Sequence, residues 1–210
     1  ADAKAEIDVL NKKIYDRSDK ELNKLYDTGR KESLAAFDKI YEILGTKFDH
    51  YFFESEIAPK GKEIVLARSE IFPEYNGARI FKGEEYGLHT RVFLSSQGLP
   101  TYEAKELGLE KLKTELYPKC ERLYVVAANE ITEYFKVLKE ALKLIFPDVA
   151  AKLCHIPYGM MRFAEGKMSS RTGNVITGEA LIAELAEIAK MRAQESRAKD
   201  PKKLAQAVAI

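Results

Sequence analysis

The segment GKMSSRTG, residues 166–173, carries a dense set of groups that can bind phosphate. Between its two glycines lie the cations of Lys167 and Arg171 and three hydroxyl groups. Ammonium, guanidinium, hydroxyl and backbone N–H groups donate hydrogen bonds to phosphate oxygens, and glycine allows the backbone to adapt around a ligand. The pattern indicates a loop that wraps a polyphosphate. Its composition alone also fits a solvated turn before a helix, where glycine and serine are common.

A second candidate group combines a phenol with a carboxylate. Tyr102 and Glu106 are four residues apart in a helix that we predict to begin after Pro100, so their side chains share one face. A carboxylate beside a phenol suits a guanidinium, which a carboxylate can bind through two parallel hydrogen bonds. The alternative is a surface tyrosine and a surface glutamate that pairs with a nearby lysine such as Lys105 or Lys113.

The elements that would position these groups alternate between helix and strand from Pro100 onward. In chain order they are PTYEAKELGLEKLKTEL, RLYVVAA, NEITEYFKVLKEALKLI and KLCHIPYG. Short apolar strands separated by helices predict βαβ crossovers and a parallel sheet. Ligands of such sheets bind outside the carboxyl ends of the strands, which here are Ala128–Asn129 and Pro157–Gly159.

Asn129 and His155 belong to these strands or their ends. Asn129 follows one strand and begins the next helix, so we expect it to face the ligand crevice, to cap the helix, or to do both. A lone histidine inside an apolar strand is, by itself, typical of a core residue.

The first hundred residues have a different pattern. We predict one helix from Ala5 to Tyr26 with a stop at Gly29, and a second from Lys31 to Leu44 that ends at Gly45, together forming a helical hairpin. The segments HYFFESE, ARIFKGEEYG and TRVFLSS predict short strands, with a helix around Lys62 to Glu70 between the first two. At the other end we predict a helix from Thr177 to about Arg197 and another that begins at Asp200–Pro201.

Composition limits the class of protein. The 210 residues, 46% of them hydrophobic, can bury one sizeable core with or without a small satellite unit. A net charge of +1 means that a polyanionic partner must bind a local patch. Cys120 and Cys154 are too few for a disulfide framework, and we expect both to be buried in a protein of a reducing compartment. Without a run of about 20 apolar residues, we predict no membrane partner and a cytoplasmic location.

The residue order around Lys167 makes the phosphate-loop interpretation more specific. KMSSRTGNVI resembles the KMSKS signature of class I aminoacyl-tRNA synthetases, and its form is most similar to that of arginyl-tRNA synthetases. GLHTRVFLSSQGLPTYEAKELGL, LYVVAANEITEYFKVLKEAL and HIPYGMMRFAEGKMSSRTGN are similar to the second half of that family's catalytic domain. The resemblance covers most of the chain and is most specific over residues 86–181.

This resemblance implies an α/β fold: the second half of a Rossmann-type parallel sheet, preceded by a helical hairpin and a small α+β insertion and followed by the start of a helical domain. The implied boundaries are 1–48 for the hairpin, 49–98 for the α+β region, 99–178 for the half-sheet with its loop, and 179–210 for the start of an anticodon-binding helical domain.

The resemblance also implies residue roles. In the family the loop closes over ATP and stabilises the pyrophosphate leaving group while the amino acid carboxylate attacks the α-phosphate. The implied catalytic residues are Lys167, Ser169 and Ser170. The implied ATP-binding residues are His155, Tyr158, Gly159, Met160, Met161, Lys167, Met168 and Arg171. The implied arginine-binding residues are Tyr102, Glu106 and Asn129.

Two of these positions depart from the family pattern. Ser170 stands where the second lysine of the signature is usual, and Arg171 offers a cation one position later. Glu106 stands where aspartate is usual, with one additional methylene. The partners implied are arginine, ATP with Mg²⁺ on its phosphates, and tRNA(Arg), with no side chain assigned as a metal ligand and a monomeric parent protein.

Two alternatives remain open. A class I lysyl-tRNA synthetase is a close relative, although the Tyr102 and Glu106 pair suits a planar guanidinium better than an ammonium. A non-catalytic module that binds nucleic acid through the lysines and arginines of the terminal helices would lose affinity steeply with salt and would not respond to ATP.

The His-x-Gly-His motif that completes a class I active site is absent from these 210 residues, whose histidines are His50, His89 and His155. The chain begins within helical periodicity and stops in the apolar run KKLAQAVAI, as an excised piece would. We therefore predict little or no aminoacylation by this polypeptide alone. Incubation of the purified chain with radiolabelled arginine, ATP and tRNA checks this, and detectable arginine-dependent charging would contradict it.

Overall fold

The computed structural model describes residues 2–160, 162–163, 166–167, 176–194 and 200–210. It divides into two compact units. One unit combines Ala1–Asp49 with Met161–Ile210, and the other consists of His50–Met160. Within the described ranges, no helix combines the length and the apolar character needed to cross a membrane.

The first unit begins with two helices, α1 (Asp2–Tyr15) and α2 (Lys20–Leu44). The predicted break at Gly29 is wrong, because α2 passes through this residue and ends at Gly45, which has a φ of 63°. The chain breaks instead before Asp19, whose side chain accepts a hydrogen bond of 3.1 Å from the backbone N–H of Leu22. An aspartate at the N-cap favours the start of a helix, and a single interior glycine weakens a helix too little to stop it when other contacts support it.

The same unit contains the carboxyl-terminal part of the chain. A short hairpin pairs β6 (Arg162–Phe163) with β7 (Gly166–Lys167), and α7 (Gly178–Gln194) packs against α8 (Pro201–Ala209). Asp200 caps α8 by accepting a 3.0 Å hydrogen bond from the backbone N–H of Lys203. The predicted helix starts near Thr177 and at Asp200–Pro201 are thus confirmed.

The second unit begins with a helix and an antiparallel sheet. These elements are α3 (Glu54–Leu66), β1 (Glu74–Tyr75), β2 (Ala78–Phe81) and β3 (Arg91–Leu94), with the strand order β1-β2-β3. The strands expected in ARIF and RVFL are confirmed. The strand expected in HYFFESE is wrong, because Glu54 already lies in the first turn of α3, where a carboxylate interacts favourably with the helix dipole.

The rest of this unit has the predicted α/β order. It consists of α4 (Tyr102–Leu116), β4 (Leu123–Ala128), α5 (Thr132–Ile145), α6 (Pro147–Lys152) and β5 (Leu153–Tyr158). The two strands pair in parallel over their whole length, from Leu123 opposite Leu153 to Ala128 opposite Tyr158. The predicted fold class, an α/β protein with a parallel sheet, is confirmed, whereas the short helix α6 was not anticipated.

The two faces of this parallel pair differ. Leu123 and Leu153 are buried and belong to the core that α5 shares with α4. On the opposite face, alternate side chains are exposed: Tyr124, Val126, Cys154, Ile156 and Tyr158. Side chains alternate between the faces of a strand, so Cys154 lies on the exposed face with its partner Tyr124. The prediction that both cysteines are buried is wrong, since Cys120 is also only half-buried.

Helices α3 and α4 approach each other closely through small residues. A Cβ atom at Gly61 would collide with the backbone carbonyl of Ala104, and one at Gly108 would lie 2.8 Å from the Ile57 carbonyl oxygen. Neither glycine is required by its backbone conformation, because neither has a positive φ. Their small size is what allows the helices to pack backbone against backbone.

We expect Gly108→Ala to lower the free energy of unfolding of this unit by about 1–3 kcal/mol, because the added methyl group meets backbone rather than a movable side chain. Gly159→Ala is the control, since a Cβ there meets nothing within 4 Å. Urea unfolding followed by circular dichroism measures both variants. Equal stability of the two variants would show that the helices can separate without cost.

Candidate active site

The start of α4 is fixed to strand β3 through its N-cap residue, Thr101. The Thr101 hydroxyl lies 2.8 Å from the Val92 carbonyl oxygen and 3.0 Å from that of Phe93. The Thr101 backbone N–H also donates to the Phe93 carbonyl, at 3.0 Å. These contacts fix the first turn of α4, and with it the position of Tyr102 and of the residues on the same face of the helix.

Glu106 points into the protein interior and is 7% exposed, whereas Tyr102 is 44% exposed. The alternative of a surface glutamate paired with a lysine is therefore wrong for Glu106. The two lysines considered for that pairing contact other carboxylates: Lys105 binds Glu54 at 2.6 Å and Lys113 binds Glu110 at 2.7 Å. The phenol and carboxylate do share one face of α4, as predicted.

Burial, followed by the charge of Glu110, raises the pKa of Glu106 to about 7. The Lys113 charge and a hydrogen bond with Tyr102 act in the opposite direction. Burial and then the Glu106 charge raise the pKa of Tyr102 to about 12. The Oε2 atom of Glu106 is buried and has no hydrogen-bond partner among the described residues. This oxygen is therefore an acceptor that the described residues leave without a donor.

Tyr134 of α5 completes the lining of this site, although the sequence did not single it out. Its ring centroid lies 5.0 Å from that of Tyr102, and its buried hydroxyl has no partner in the described part of the chain. Burial, followed by the Glu106 charge, raises the pKa of the Tyr134 hydroxyl. The contact with Tyr102 places Tyr134 at this site.

Arg91 of β3 lies at the edge of the same cluster and was also missed. Its Nη1 atom is 3.5 Å from Oε1 of Glu103, and its guanidinium carbon is 6.0 Å from the Tyr134 ring centroid. A cation over an aromatic face is attracted by the ring quadrupole. The chain thus already holds one guanidinium against this aromatic and acidic surface.

His155 is connected to the same cluster through aromatic contacts. The Tyr134 ring contacts Phe135 edge to face at 5.2 Å, and Phe135 stacks on His155 at 4.4 Å. The Nε2 atom of His155 is 3.3 Å from the Ala127 carbonyl oxygen on the neighbouring strand. His155 is half-buried and lies in the middle of β5, three residues before the strand ends at Tyr158.

Asn129 lies at the predicted edge of the sheet, but it does not cap a helix. It is the first residue of a 3-10 helix, Asn129–Ile131, whose N-cap residue is Ala128, and α5 has Ile131 at its N-cap. The prediction of a capping role is therefore wrong. The Asn129 side chain is exposed beyond β4, next to the strand end where Ala128 pairs with Tyr158.

The remaining predicted residues follow β5. Tyr158, Gly159 and Met160 are all exposed at the carboxyl end of this strand. The backbone of Lys167 pairs with Arg162 in the β6–β7 hairpin. Outside the described residues lie Met161, Met168, Ser169, Ser170 and Arg171. Among the described residues, no group of three or more histidine, cysteine, aspartate or glutamate side chains could hold a metal ion.

Comparison with known proteins assigns the family. The sequence model described as "tRNA synthetases class I (R), catalytic domain" matches residues 5–210. The chain belongs to this family. The arginine–tRNA ligases of Clostridium perfringens and Enterococcus faecalis are 33% and 34% identical over 175 and 179 residues, which are 82% and 84% of this chain.

The chain spans about a third of the length of those two synthetases, 31% and 32% respectively. A crystal structure of arginyl-tRNA synthetase from Plasmodium falciparum shows the same fold, with a TM-score of 0.72 at 20% identity. That match covers 92% of this chain and 33% of the other.

Replacement of the buried carboxylate should change how stability depends on pH. The folded pKa of Glu106, about 7, lies above its ordinary value of 4.5, so its contribution is fully present below pH 4.5 and is lost as pH rises through 7. We expect Glu106→Gln to remove this loss, which is on the order of 3 kcal/mol. Urea unfolding at several pH values between 4.5 and 8.5 measures the difference from the unsubstituted chain.

Glu115→Gln is the matched control on the same helix. Pairing with Lys60 lowers the pKa of the Glu115 carboxyl, so any stability that it contributes is lost as pH falls. The Glu115–Lys60 ion pair is partly exposed, so its removal should change the free energy of unfolding little. Parallel pH profiles for Glu106→Gln and the unsubstituted chain would contradict the assignment of a raised pKa to Glu106.

Proposed function

We propose that this chain supplies the arginine pocket and part of the ATP site of an arginine–tRNA ligase. The whole protein would activate arginine with ATP to arginyl-adenylate and transfer the arginyl group to tRNA(Arg). The named relatives that match most of the chain support this proposal. The observation that carries it is the buried Glu106 carboxylate beside Tyr102, which is suited to a guanidinium.

The proposed arginine subsite consists of Tyr102, Glu106 and Asn129. A guanidinium presents several N–H donors in one plane, and Glu106 has a buried oxygen without a partner among the described residues. The hydroxyl of Tyr134, also buried and without a described partner, offers another acceptor beside it. Burial strengthens a charge-assisted hydrogen bond, so the site would favour a cation with several donors over a neutral analogue.

The proposed ATP subsite lies at the carboxyl ends of β4 and β5. His155, Tyr158, Gly159, Met160 and Met161 would form its wall, as ligands of parallel sheets bind at this edge. Lys167, Met168 and Arg171 would contact the phosphates, with Lys167, Ser169 and Ser170 stabilising the pyrophosphate as it leaves. Mg²⁺ usually binds through substrate phosphates and water, so we assign it to ATP and not to a side-chain cluster.

The remaining parts of the proposal concern the whole protein. The boundaries 1–48, 49–98, 99–178 and 179–210 stay predictions, with the last segment assigned to a helical domain that contacts the tRNA anticodon. We propose a cytoplasmic monomer as the working form.

Titration calorimetry at pH 8 with arginine, citrulline and lysine tests the arginine pocket. We expect arginine to bind more tightly than either analogue, because citrulline lacks the charge and lysine lacks the planar donors. Glu106→Gln should weaken arginine binding by about 10- to 100-fold, since a hydrogen bond to a charged group contributes roughly 1.5–3 kcal/mol. Binding of citrulline should change little.

Glu115→Gln again serves as the control, because its side chain is 43% exposed and pairs with Lys60. It should bind arginine as the unsubstituted chain does. Equal affinity for arginine and citrulline, or an unchanged affinity in Glu106→Gln, would contradict the assignment of this pocket to arginine.

A further inference from the structure

A second buried carboxylate lies one helical turn beyond Glu106. Glu110 is 0% exposed, and residues four apart on a helix are neighbours on its surface. Its Oε1 atom is 2.7 Å from Nζ of Lys113, whose side chain is 21% exposed. Its Oε2 atom has no hydrogen-bond partner among the described residues. The proposed arginine subsite does not use Glu110.

The charged and titratable groups around the pair come from four elements. Helix α4 supplies Tyr102 and Lys113, α3 supplies Glu54, and α5 supplies Tyr134. Glu54 is neutralised in part by Lys105, at 2.6 Å. Arg91 of β3 contacts Glu103 and the Tyr134 ring. Within the described part of the chain, Lys113 is the cation that directly contacts the carboxylate pair.

Two ionised carboxylates beside one ammonium would leave an excess negative charge in a buried site. Burial makes such an excess costly, and the usual outcome is that one group retains a proton. The ammonium contacts Glu110, so the Glu110 charge is compensated in part, although burial outweighs Lys113 and still raises the pKa of the Glu110 carboxyl. Glu106, which lacks that contact, is left to hold the proton.

We propose that Glu110, together with Lys113, is a positioning residue that sets the protonation of Glu106. Glu106 then stays protonated near neutral pH in the ligand-free chain and releases its proton when a guanidinium enters. The raised pKa of Glu106, to about 7, is consistent with this geometry. The proton release on binding rests on the proposed arginine site, whereas the control of Glu106 by Glu110 and Lys113 does not.

Direct titration of Glu106 in the ligand-free chain tests the proposal. The protein is labelled with ¹³C at the glutamate carboxyl carbons, and the Glu106 resonance is assigned by its loss in Glu106→Gln. We expect Glu110→Gln to lower the Glu106 midpoint by about one pH unit, because Lys113 then has no competing carboxylate. Lys113→Met should raise the midpoint by a similar amount, because the compensating cation is gone.

The two variants are expected to shift the Glu106 midpoint in opposite directions. Loosened packing around Glu106 would shift the midpoint in the same direction in both variants, so the signs distinguish an electrostatic role from a packing role. Glu115→Gln, on the exposed face of the same helix, should leave the midpoint unchanged. If Glu110→Gln does not fold, Lys113→Met is the second variant, because Lys113 is partly exposed. It removes the cation beside Glu110 and should raise the Glu106 midpoint. Midpoints that shift together, or that match the unsubstituted chain in both variants, would overturn the proposal.

Calorimetry separates this inference from the proposed function. Arginine binding at pH 7 is measured in buffers of different ionisation enthalpy, which gives the number of protons released. We expect release of a fraction of one proton, and less release in Glu110→Gln. If arginine does not bind while the Glu106 midpoint still responds to Glu110, the arginine site is wrong and the protonation control stands. If arginine binds while the midpoint does not respond, only the role of Glu110 fails.

Discussion

The close contact between helices α3 and α4 fixes which face of α4 is turned toward α3. Gly61 and Gly108 leave no room for a side chain between the two backbones, because a Cβ at either position would meet backbone atoms of the other helix. A helix held at backbone distance cannot rotate or slide without collisions, because protein interiors are close-packed. One face of α4 therefore packs against α3, and the opposite face carries Glu106 and Glu110, with Glu106 close to Tyr134 of α5.

This constraint explains how acidic side chains come to be buried in a unit whose core is otherwise apolar. A glutamate on a freely rotating helix would turn toward water, since burial of an uncompensated charge is unfavourable. Here the energy of packing elsewhere on the helix holds the carboxylates in place. Consequently Oε2 of Glu106 and the hydroxyl of Tyr134 stay buried without a hydrogen-bond partner among the described residues, and the proposed arginine subsite rests on this property.

The sequence predicted those features that depend on local patterns. The parallel pairing of β4 with β5 followed from two apolar strands separated by a helix, and the shared face of Tyr102 and Glu106 followed from their spacing. Features that depend on tertiary contacts were less accessible. The chain breaks between α1 and α2 just before Asp19, and not at Gly29 as predicted. The composition of HYFFESE favoured a strand, but its last residues form the first turn of α3.

Burial was the hardest property to predict from residue type. Glutamate is usually exposed and cysteine is usually buried, yet Glu110 is fully buried and Cys154 is exposed. Tyr134 was not singled out from the sequence, because its buried position beside Tyr102 depends on how α4 and α5 pack. The shared helical face of Tyr102 and Glu106 could thus be predicted from sequence, but the charge balance around Glu106 required the three-dimensional arrangement.

The exposed side of the β4–β5 pair has a consequence for how the isolated chain behaves in solution. Tyr124 and Val126 are 61% and 66% exposed there, next to Ile156 and Tyr158 on the neighbouring strand. Parallel sheets are normally covered on both sides, and contiguous apolar surface drives association. When two copies of the chain pack these exposed sheet faces against each other, the apolar side chains are removed from water. Concentrated samples should therefore self-associate or become turbid. Hydrophilic replacements at the four positions should keep the samples clear.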